Sequence, residues 1–295
     1  MPEARLTEPI IPPPAWRRLD LSSLEGTLFV LGDTDSGKTT FARYLFLELH
    51  RLGRCVAYLD GDVGQSTLGL PATMTVALCG RDGRPTFPPI GPHVIFFVGA
   101  VSPRGHMLPV VVGAHKLQTW ACRQGAEVIV MDTTGMINPA VGGGALKQWK
   151  IELLQPTTLF ALARGAELEH ILWPLRRRQD LRVYEFPVAR EVQEKVREGR
   201  IAHRAERFRR YFSGAGLLTV SLNRLSVVGL GGTARGRLLA FQDGAGFALG
   251  LGVAERLDLG SKTLSVRTPL PNLDGVASLR MSELGLDPAS GHEIR

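Results

Sequence analysis

The sequence predicts an α/β fold: a parallel β-sheet wrapped by helices, followed by a small β-rich unit. Three observations predict it. From residue 26 to 162, short apolar runs alternate with helix-period segments, the pattern of strands joined by crossover helices. The first strand–helix junction reads Gly32-Asp33-Thr34-Asp35-Ser36-Gly37-Lys38-Thr39, which is G-x-x-x-x-G-K-T, a phosphate-binding loop in its proper context. After Gly214 the texture changes to short alternations separated by glycine-rich turns, as in antiparallel β-structure.

The fold class is therefore a P-loop NTPase-type parallel sheet flanked by helices, with a small C-terminal β-rich domain. Residues 1–25 hold Pro9, Pro12, Pro13 and Pro14 and predict an extended N-terminal arm. The P-loop domain is expected over 26–213. Its strands fall at 27–31, 55–59, 94–98, 127–131 and 157–162, and its helices at 38–52, 115–124 and 143–154. A further helix pattern covers 191–212. The β-rich domain is expected over 214–295, with strands near Leu217–Leu222, Ser226–Leu230, Arg237–Phe241 and Phe247–Val253.

Composition narrows the functional classes. Of 295 residues, 44% are hydrophobic and 21% charged, which is ordinary for a globular chain. The longest apolar stretch, Val94 to Val101, is too short to span a bilayer, and Met1-Pro2-Glu3-Ala4-Arg5 lacks a signal-peptide layout. Cys55, Cys79 and Cys122 have no metal or disulfide spacing, so reduced thiols in a cytoplasmic protein without a membrane role are expected. The seven histidines show no ligand spacing, which removes histidine-metal chemistry and catalytic triads. The formal charge of +7 is uneven: residues 176–210 carry twelve Arg/Lys against six Asp/Glu. Most of it is arginine, suited to bidentate phosphate recognition, and this segment is expected to contact a polyanion.

Three motifs carry the chemistry. In the first, backbone N–H groups of the loop and the helix N-terminus surround a nucleotide's phosphates. The lysine reaches the β/γ oxygens and the following hydroxyl takes Mg²⁺. Asp33, Thr34, Asp35, Ser36, Gly37, Lys38, Thr39 and Thr40 are thus the expected ATP-binding residues, with Thr39 on the metal. The second motif, Asp60-Gly61-Asp62-Val63-Gly64-Gln65-Ser66, directly follows a strand. Ligands of open α/β sheets sit at that end, so Asp62 is expected to face Lys38. It would hold Mg²⁺, directly or through water, or accept a proton from an attacking hydroxyl. The third motif is Val128-Ile129-Val130-Met131-Asp132-Thr133-Thr134-Gly135, a Walker-B-like strand with Thr133 where motor ATPases place glutamate. With no Asn-Lys-x-Asp motif either, phosphoryl transfer to an acceptor other than water is favoured.

Taken together, G-D-T-D-S-G-K-T-T, D-G-D-V-G-Q-S, D-T-T-G and the arginine-rich helix ending in Tyr211-Phe212 resemble the polynucleotide 5′-hydroxyl kinase family. That family includes the kinase subunit of the eukaryotic mRNA 3′-end and tRNA-splicing machineries and the kinase of pre-rRNA processing. Phe97-Val98-Gly99-Ala100-Val101-Ser102-Pro103 is similar to a stretch of the prokaryotic relatives. The resemblance implies an ATP- and Mg²⁺-dependent kinase acting on the 5′-hydroxyl of single-stranded or duplex RNA or DNA. Under it Asp62 is the general base or metal-organising carboxylate, and Gln65 positions the substrate end. Thr133, Thr134 and Gly135 belong to a clasp on the nucleic acid. Family clasps read T-x-G-Trp/Tyr, and Met136 here departs from that, leaving Trp149 and Trp173 as other stacking rings.

Arg197, Arg200, Arg204 and Arg207 share one helix face, and Ile201, Ala205, Phe208 and Phe212 form an apolar stripe beside it. An arginine row on a docked helix suits a lid over a transferring phosphoryl group, and Arg200 and Arg204 match the family's lid positions. Lys38, Asp62, Arg200 and Arg204 are thus the expected catalytic set. Two other readings remain open at this stage: an ATP-locked RNA-processing scaffold, and a small-molecule kinase on the same core.

Overall fold

The computed structural model describes residues 9–189, 197–230 and 233–294. Within the arm, Pro14–Arg17 form one helical turn, α1, with Pro14 at the N1 position where a missing N–H costs nothing. The arm is therefore not wholly extended. Trp16 turns inward against Phe41 and Tyr44, with ring centroids 4.8 and 5.6 Å away.

The main sheet begins with β1 (Gly26–Gly32), and Lys38–Arg51 follow as α2. Next come β2 (Val56–Gly61), β3 (Thr73–Cys79) and β4 (His93–Phe97). Helix α3 (Met107–Arg123), β5 (Val128–Thr133) and α4 (Gly143–Leu154) lead to β6 (Thr158–Ala163). Helix α5 (Glu169–Leu175) and β7 (Arg182–Pro187) complete it. The strand order is β4-β3-β2-β5-β1-β6-β7, with β2, β5, β1, β6 and β7 mutually parallel. β3 and β4 extend the sheet antiparallel. The sequence pattern missed β3, α5 and β7. The connection from β2 to β3 carries no helix, so the chain returns antiparallel instead of crossing over.

Alternate residues of β1 serve two cores. Leu28 and Val30 pack with Phe41, Leu45 and Leu49 of α2. Phe29 and Leu31 pack with Val110 and Leu117 of α3 and Leu146 and Ile151 of α4. All of these side chains are buried, each contributing about 1.5–3 kcal/mol. Helix α3 starts well before residue 115 because its breakers are absorbed. Pro109 lies in the first turn, and the Phe96 ring fills the space beside Gly113.

Helix α6 (Arg197–Tyr211) leads to the second sheet; the expected helical residues 191–196 lie outside the described residues. The sheet contains β8 (Gly216–Ser221), β9 (Ser226–Val228), β10 (Arg237–Gln242) and β11 (Ala248–Asp258). β12 (Thr263–Thr268), β13 (Ser278–Leu286) and β14 (Glu293–Ile294) finish it. Its order is β14-β13-β10-β11-β12-β8, antiparallel apart from the β9–β13 pair. Of the predicted apolar stripe, Ala205 and Phe208 of α6 and Phe212 just after it are buried, and Ile201 is half-buried. Phe208 and Phe212 share a core with Leu238, Ala240 and Leu251 of the second sheet and Phe97 of the first. Among the described residues no helix is long and apolar enough to cross a membrane.

Candidate active site

Register brings the three motifs to one edge of the parallel sheet. Asp132 of β5 stands opposite Val30 of β1 on one side and Asp60 of β2 on the other. The loop after β1 turns through Asp35 (φ 52°) and Gly37 (φ 84°), the left-handed conformations that wrap its amides around a common centre. Gly32 must lack a side chain, because a β-carbon would stand 2.7 Å from the Leu162 carbonyl.

Lys38 is buried at the start of α2, where its Nζ donates to the Asp33 carbonyl and, at 3.4 Å, to the Ser36 hydroxyl. Burial pulls its amine below the usual value, while Asp132, Asp62, Asp33 and Asp35 act to raise it. The Thr39 hydroxyl donates to Asp132 Oδ2 at 2.6 Å, and the Tyr58 hydroxyl reaches the same oxygen at 3.2 Å. Asp132 Oδ1 is buried with no hydrogen-bond partner. Burial, with Asp60 adding to it, pushes the Asp132 carboxyl up to about 7, against the Thr39 bond and the Lys38 charge. Asp33 accepts from the Thr34 amide at 2.6 Å, while Thr34 and Thr40 are exposed.

The two aspartates after β2 divide their work. Asp60 is buried, and its Oδ2 accepts from the Ser66 hydroxyl (2.7 Å), the Thr67 amide (2.6 Å) and the Leu68 amide (2.9 Å). It fixes the loop from inside. Asp62 is half-buried, with Oδ1 accepting from the Gly64 and Gln65 amides at 2.9 and 3.0 Å. The Gln65 side-chain Nε2 donates to the Gly64 carbonyl and, at 3.4 Å, to the Arg200 carbonyl. The segment after β4 crosses this loop so closely that a β-carbon on Gly64 would meet the Val101 carbonyl at 2.7 Å.

The predicted clasp residues are drawn inward. Thr133 is fully buried, and its hydroxyl donates to the Val30 carbonyl at 2.7 Å while accepting from Lys147 Nζ at 2.9 Å. Lys147 Nζ also donates to the Thr134 carbonyl. Gly135 presses on the phosphate loop: a β-carbon there would stand 2.5 Å from the Thr34 nitrogen. Met136 is half-buried and packs against the core. Trp149 offers no replacement ring at this place. It lies two residues from Lys147 on α4, hence on the opposite side, where it lines an apolar groove with Leu108, Val111 and Leu153. Trp173 lies on α5 beneath the Arg177 guanidinium, 5.8 Å from it.

The arginine row separates. Arg200 reaches Asp35 of the phosphate loop at 3.4 Å. Arg204 does not come to the loop; it pairs with Glu293 of β14 at 2.7 Å. Arg207 donates to the Gly69 carbonyl at 2.6 Å. Sequence reasoning left Asp132 out of the site and passed over Lys147 and Lys150. A signal existed: only six of the 35 basic residues are lysine, and three of them, Lys38, Lys147 and Lys150, are buried.

Residues 32–214 match the family model for the mRNA cleavage and polyadenylation factor CLP1 P-loop. The chain belongs to the CLP1 P-loop family. With that membership comes a nucleotide-using loop at Gly32–Thr39. Among relatives, a polyribonucleotide 5′-hydroxyl-kinase of Methanocaldococcus jannaschii is 35% identical over 203 residues, 68% of this chain and 54% of the relative. A protein of the same name from Pyrococcus horikoshii is 34% identical over 212 residues, 71% and 56% respectively. The match thus spans about half the length of these two relatives. A third, from Pyrococcus abyssi, is 27% identical with 87% and 86% covered. Among solved structures, Clp1p in complex with Pcf11p superposes with a TM-score of 0.65 over 92% of this chain and 77% of that one. At 12% identity it shows the CLP1 fold alone.

Proposed function

We propose that this CLP1-family chain is a polynucleotide kinase that moves the γ-phosphate of ATP to the 5′-hydroxyl end of RNA or DNA in the cytoplasm. The observation that carries the reading is the convergence of Lys38, Asp62, Asp132 and the Thr133–Gly135 segment at one sheet edge, with Arg200 reaching across to Asp35. The relatives' names support the acceptor class.

A Mg²⁺ ion fits the residues present. The Thr39 hydroxyl, the unpartnered Asp132 Oδ1 and the Asp62 carboxylate form a hard oxygen set. No group of three His, Cys, Asp or Glu able to hold a metal occurs among the described residues, and Mg²⁺ in such sites relies on few carboxylates plus phosphate and water. When bound, it would neutralise charge on the β/γ-phosphates. Thr39, Asp132 and Asp62 would hold it.

Residues 33–40 would bind the triphosphate, for which Lys38 must exchange its Asp33 and Ser36 contacts for phosphate oxygens. Asp62 would take the proton from the 5′-hydroxyl as that oxygen bonds to the γ-phosphorus and the bond to the bridging β–γ oxygen breaks. ADP leaves with that electron pair. Arg200 would leave Asp35 for the charge that builds up on the transferring group, where preorganised cations act most strongly. Gln65, Thr134 and the backbone at Gly135 border the place for the 5′ end.

The test is transfer from γ-labelled ATP to 5′-hydroxyl RNA and DNA oligonucleotides, with 5′-phosphorylated oligonucleotides and free nucleosides as acceptor controls. Label should appear only on the 5′-hydroxyl ends. Label on nucleosides instead would mark a small-molecule kinase, and ATP binding without transfer would mark a scaffold.

A further inference from the structure

Lys147 and Lys150 are one turn apart on α4 and are both 0% exposed. Burying an ammonium is costly, and replacing such a group by an apolar one of similar size is often neutral or stabilising. Lys150 Nζ has no hydrogen-bond partner, and burial pulls its amine down to about 8. Lys147 is different. Its Nζ satisfies the Thr134 carbonyl and the Thr133 hydroxyl, two groups at the point where β5 leaves the sheet.

The contacts continue in both directions. The Thr133 hydroxyl in turn donates to the Val30 carbonyl of β1. Two residues further on, Gly135 lies against Thr34, leaving no room for a side chain. At the other end, the Gly143 amide at the head of α4 donates to the Asn138 carbonyl at 2.8 Å, closing the turn that brings the helix back under the segment. An unbroken path therefore runs from Lys147 through 133–135 to the phosphate loop. With the non-aromatic Met136 half-buried against the core, this segment presents no ring of its own to hold a substrate end.

We infer that Lys147 is a positioning residue, a buried cation that holds Thr133–Gly135 against the phosphate loop so that acceptor and nucleotide are presented in fixed relation. This deepens the kinase reading and rests on it for the acceptor's identity. Lysine suits the place where arginine would not, because a compact ammonium can donate to two oxygens from within a packed helix face. Its contribution is to geometry, and misplacement of a reacting group by an ångström costs about 100-fold in rate.

The test replaces Lys147 with methionine, which keeps the length and removes the charge. The melting temperature should fall only modestly, since the lost bonds to Thr133 and Thr134 are partly offset by removing a buried charge, while amide exchange across 133–136 accelerates. KM for a 5′-hydroxyl oligonucleotide should rise and kcat/KM fall by about 100-fold, with ATP affinity changed by less than about threefold. Thr133→Val, which removes one acceptor and leaves the lysine, should move exchange and KM the same way by less, and serves if Lys147→Met does not fold. Lys150→Met should raise the melting temperature and leave both readouts alone. Wild-type exchange and KM in Lys147→Met would overturn the inference, as would an equal loss of ATP affinity. If the wild-type protein transfers no phosphate to any oligonucleotide, the kinase reading fails, while exchange at 133–136 still decides whether Lys147 anchors the segment.

Discussion

Two cationic regions of this protein treat their charge in opposite ways. At the edge of the parallel sheet, Lys38, Lys147 and Lys150 are buried, and burial pulls each amine down. Among the described residues of the segment from 176 to 210, several arginines pair with acids. Arg176 holds Glu169 and Glu185, each at 2.7 Å, and Arg178 holds Glu152 and Asp180 at 2.7 and 2.6 Å. Arg209 and Arg210 share Glu206 at 2.7 and 3.1 Å. Arg204 takes Glu293. The sequence excess of positive charge reads as a polyanion-binding strip, yet six of its eleven arginines pair with acids, several from outside the segment. Count and location of charge do not reveal its availability. Of the buried lysines, Lys38 and Lys147 bond directly to the loops of the site, while Lys150 has no hydrogen-bond partner.

The comparison is broken most severely at Lys38. Lys38→Ala removes the amine from the phosphate loop and should lower kcat on the order of 100- to 1000-fold, with the fold intact by circular dichroism. Near-wild-type turnover would remove the loop from the chemistry. Asp62→Asn keeps shape and loop hydrogen bonds, and should cost roughly 100-fold in transfer while ATP binding persists. Loss of ATP·Mg²⁺ binding instead would make Asp62 a metal organiser.

The arginine side should respond less, and unequally. Arg200→Ala is expected to lower kcat by roughly 10- to 100-fold with little change in oligonucleotide KM, because the contact tightens in the transition state. Arg204→Ala, whose partner is Glu293 and not the loop, should lower kcat by less. Equal losses in the two would show that Arg204 exchanges its partner during turnover.

The smallest expected effect is on stability against pH. The folded protein holds Asp132's proton up to about 7, whereas the unfolded chain releases it near 3.8. The folded state thus binds more protons, so this group's stabilising contribution is full below pH 3.8 and is lost as pH rises to 7. Lys150 acts at the other end. Its folded value of about 8 lies below 10.5, so the cost of burying its charge disappears as pH rises between them. Melting curves of Asp132→Asn and Lys150→Met should lose the first and second of these trends respectively, in the absence of nucleotide.

What was legible in the sequence was local. The loop at 32–39, the strand ending at Asp132 and the stripe Ala205, Phe208, Phe212 are each written in consecutive or helix-spaced residues, and each lies where the pattern puts it. Tertiary partners were not legible. Nothing near Arg204 in sequence announces Glu293, and nothing near Thr133 announces Lys147 fourteen positions later. β3 was missed because both its faces are buried, so no alternation marks it. The Asp60 and Asp62 roles were separable only by burial, since the two sit two residues apart in one motif.

The junction of α6 with the second sheet bears on the time available for catalysis. Phe208 and Phe212 are sunk among the residues of that sheet, and Gly291 lies flush on the helix backbone at Ala205 and Arg209, where any side chain would collide. Helix and sheet therefore travel together. Moving Arg200 off Asp35 to admit a nucleotide or release ADP would shift a helix packed on the second sheet and, through Phe97, on the first, a slower excursion than the nanosecond flicker of a free loop. Turnover would then be paced by the repacking of this helix, a step that solvent viscosity slows.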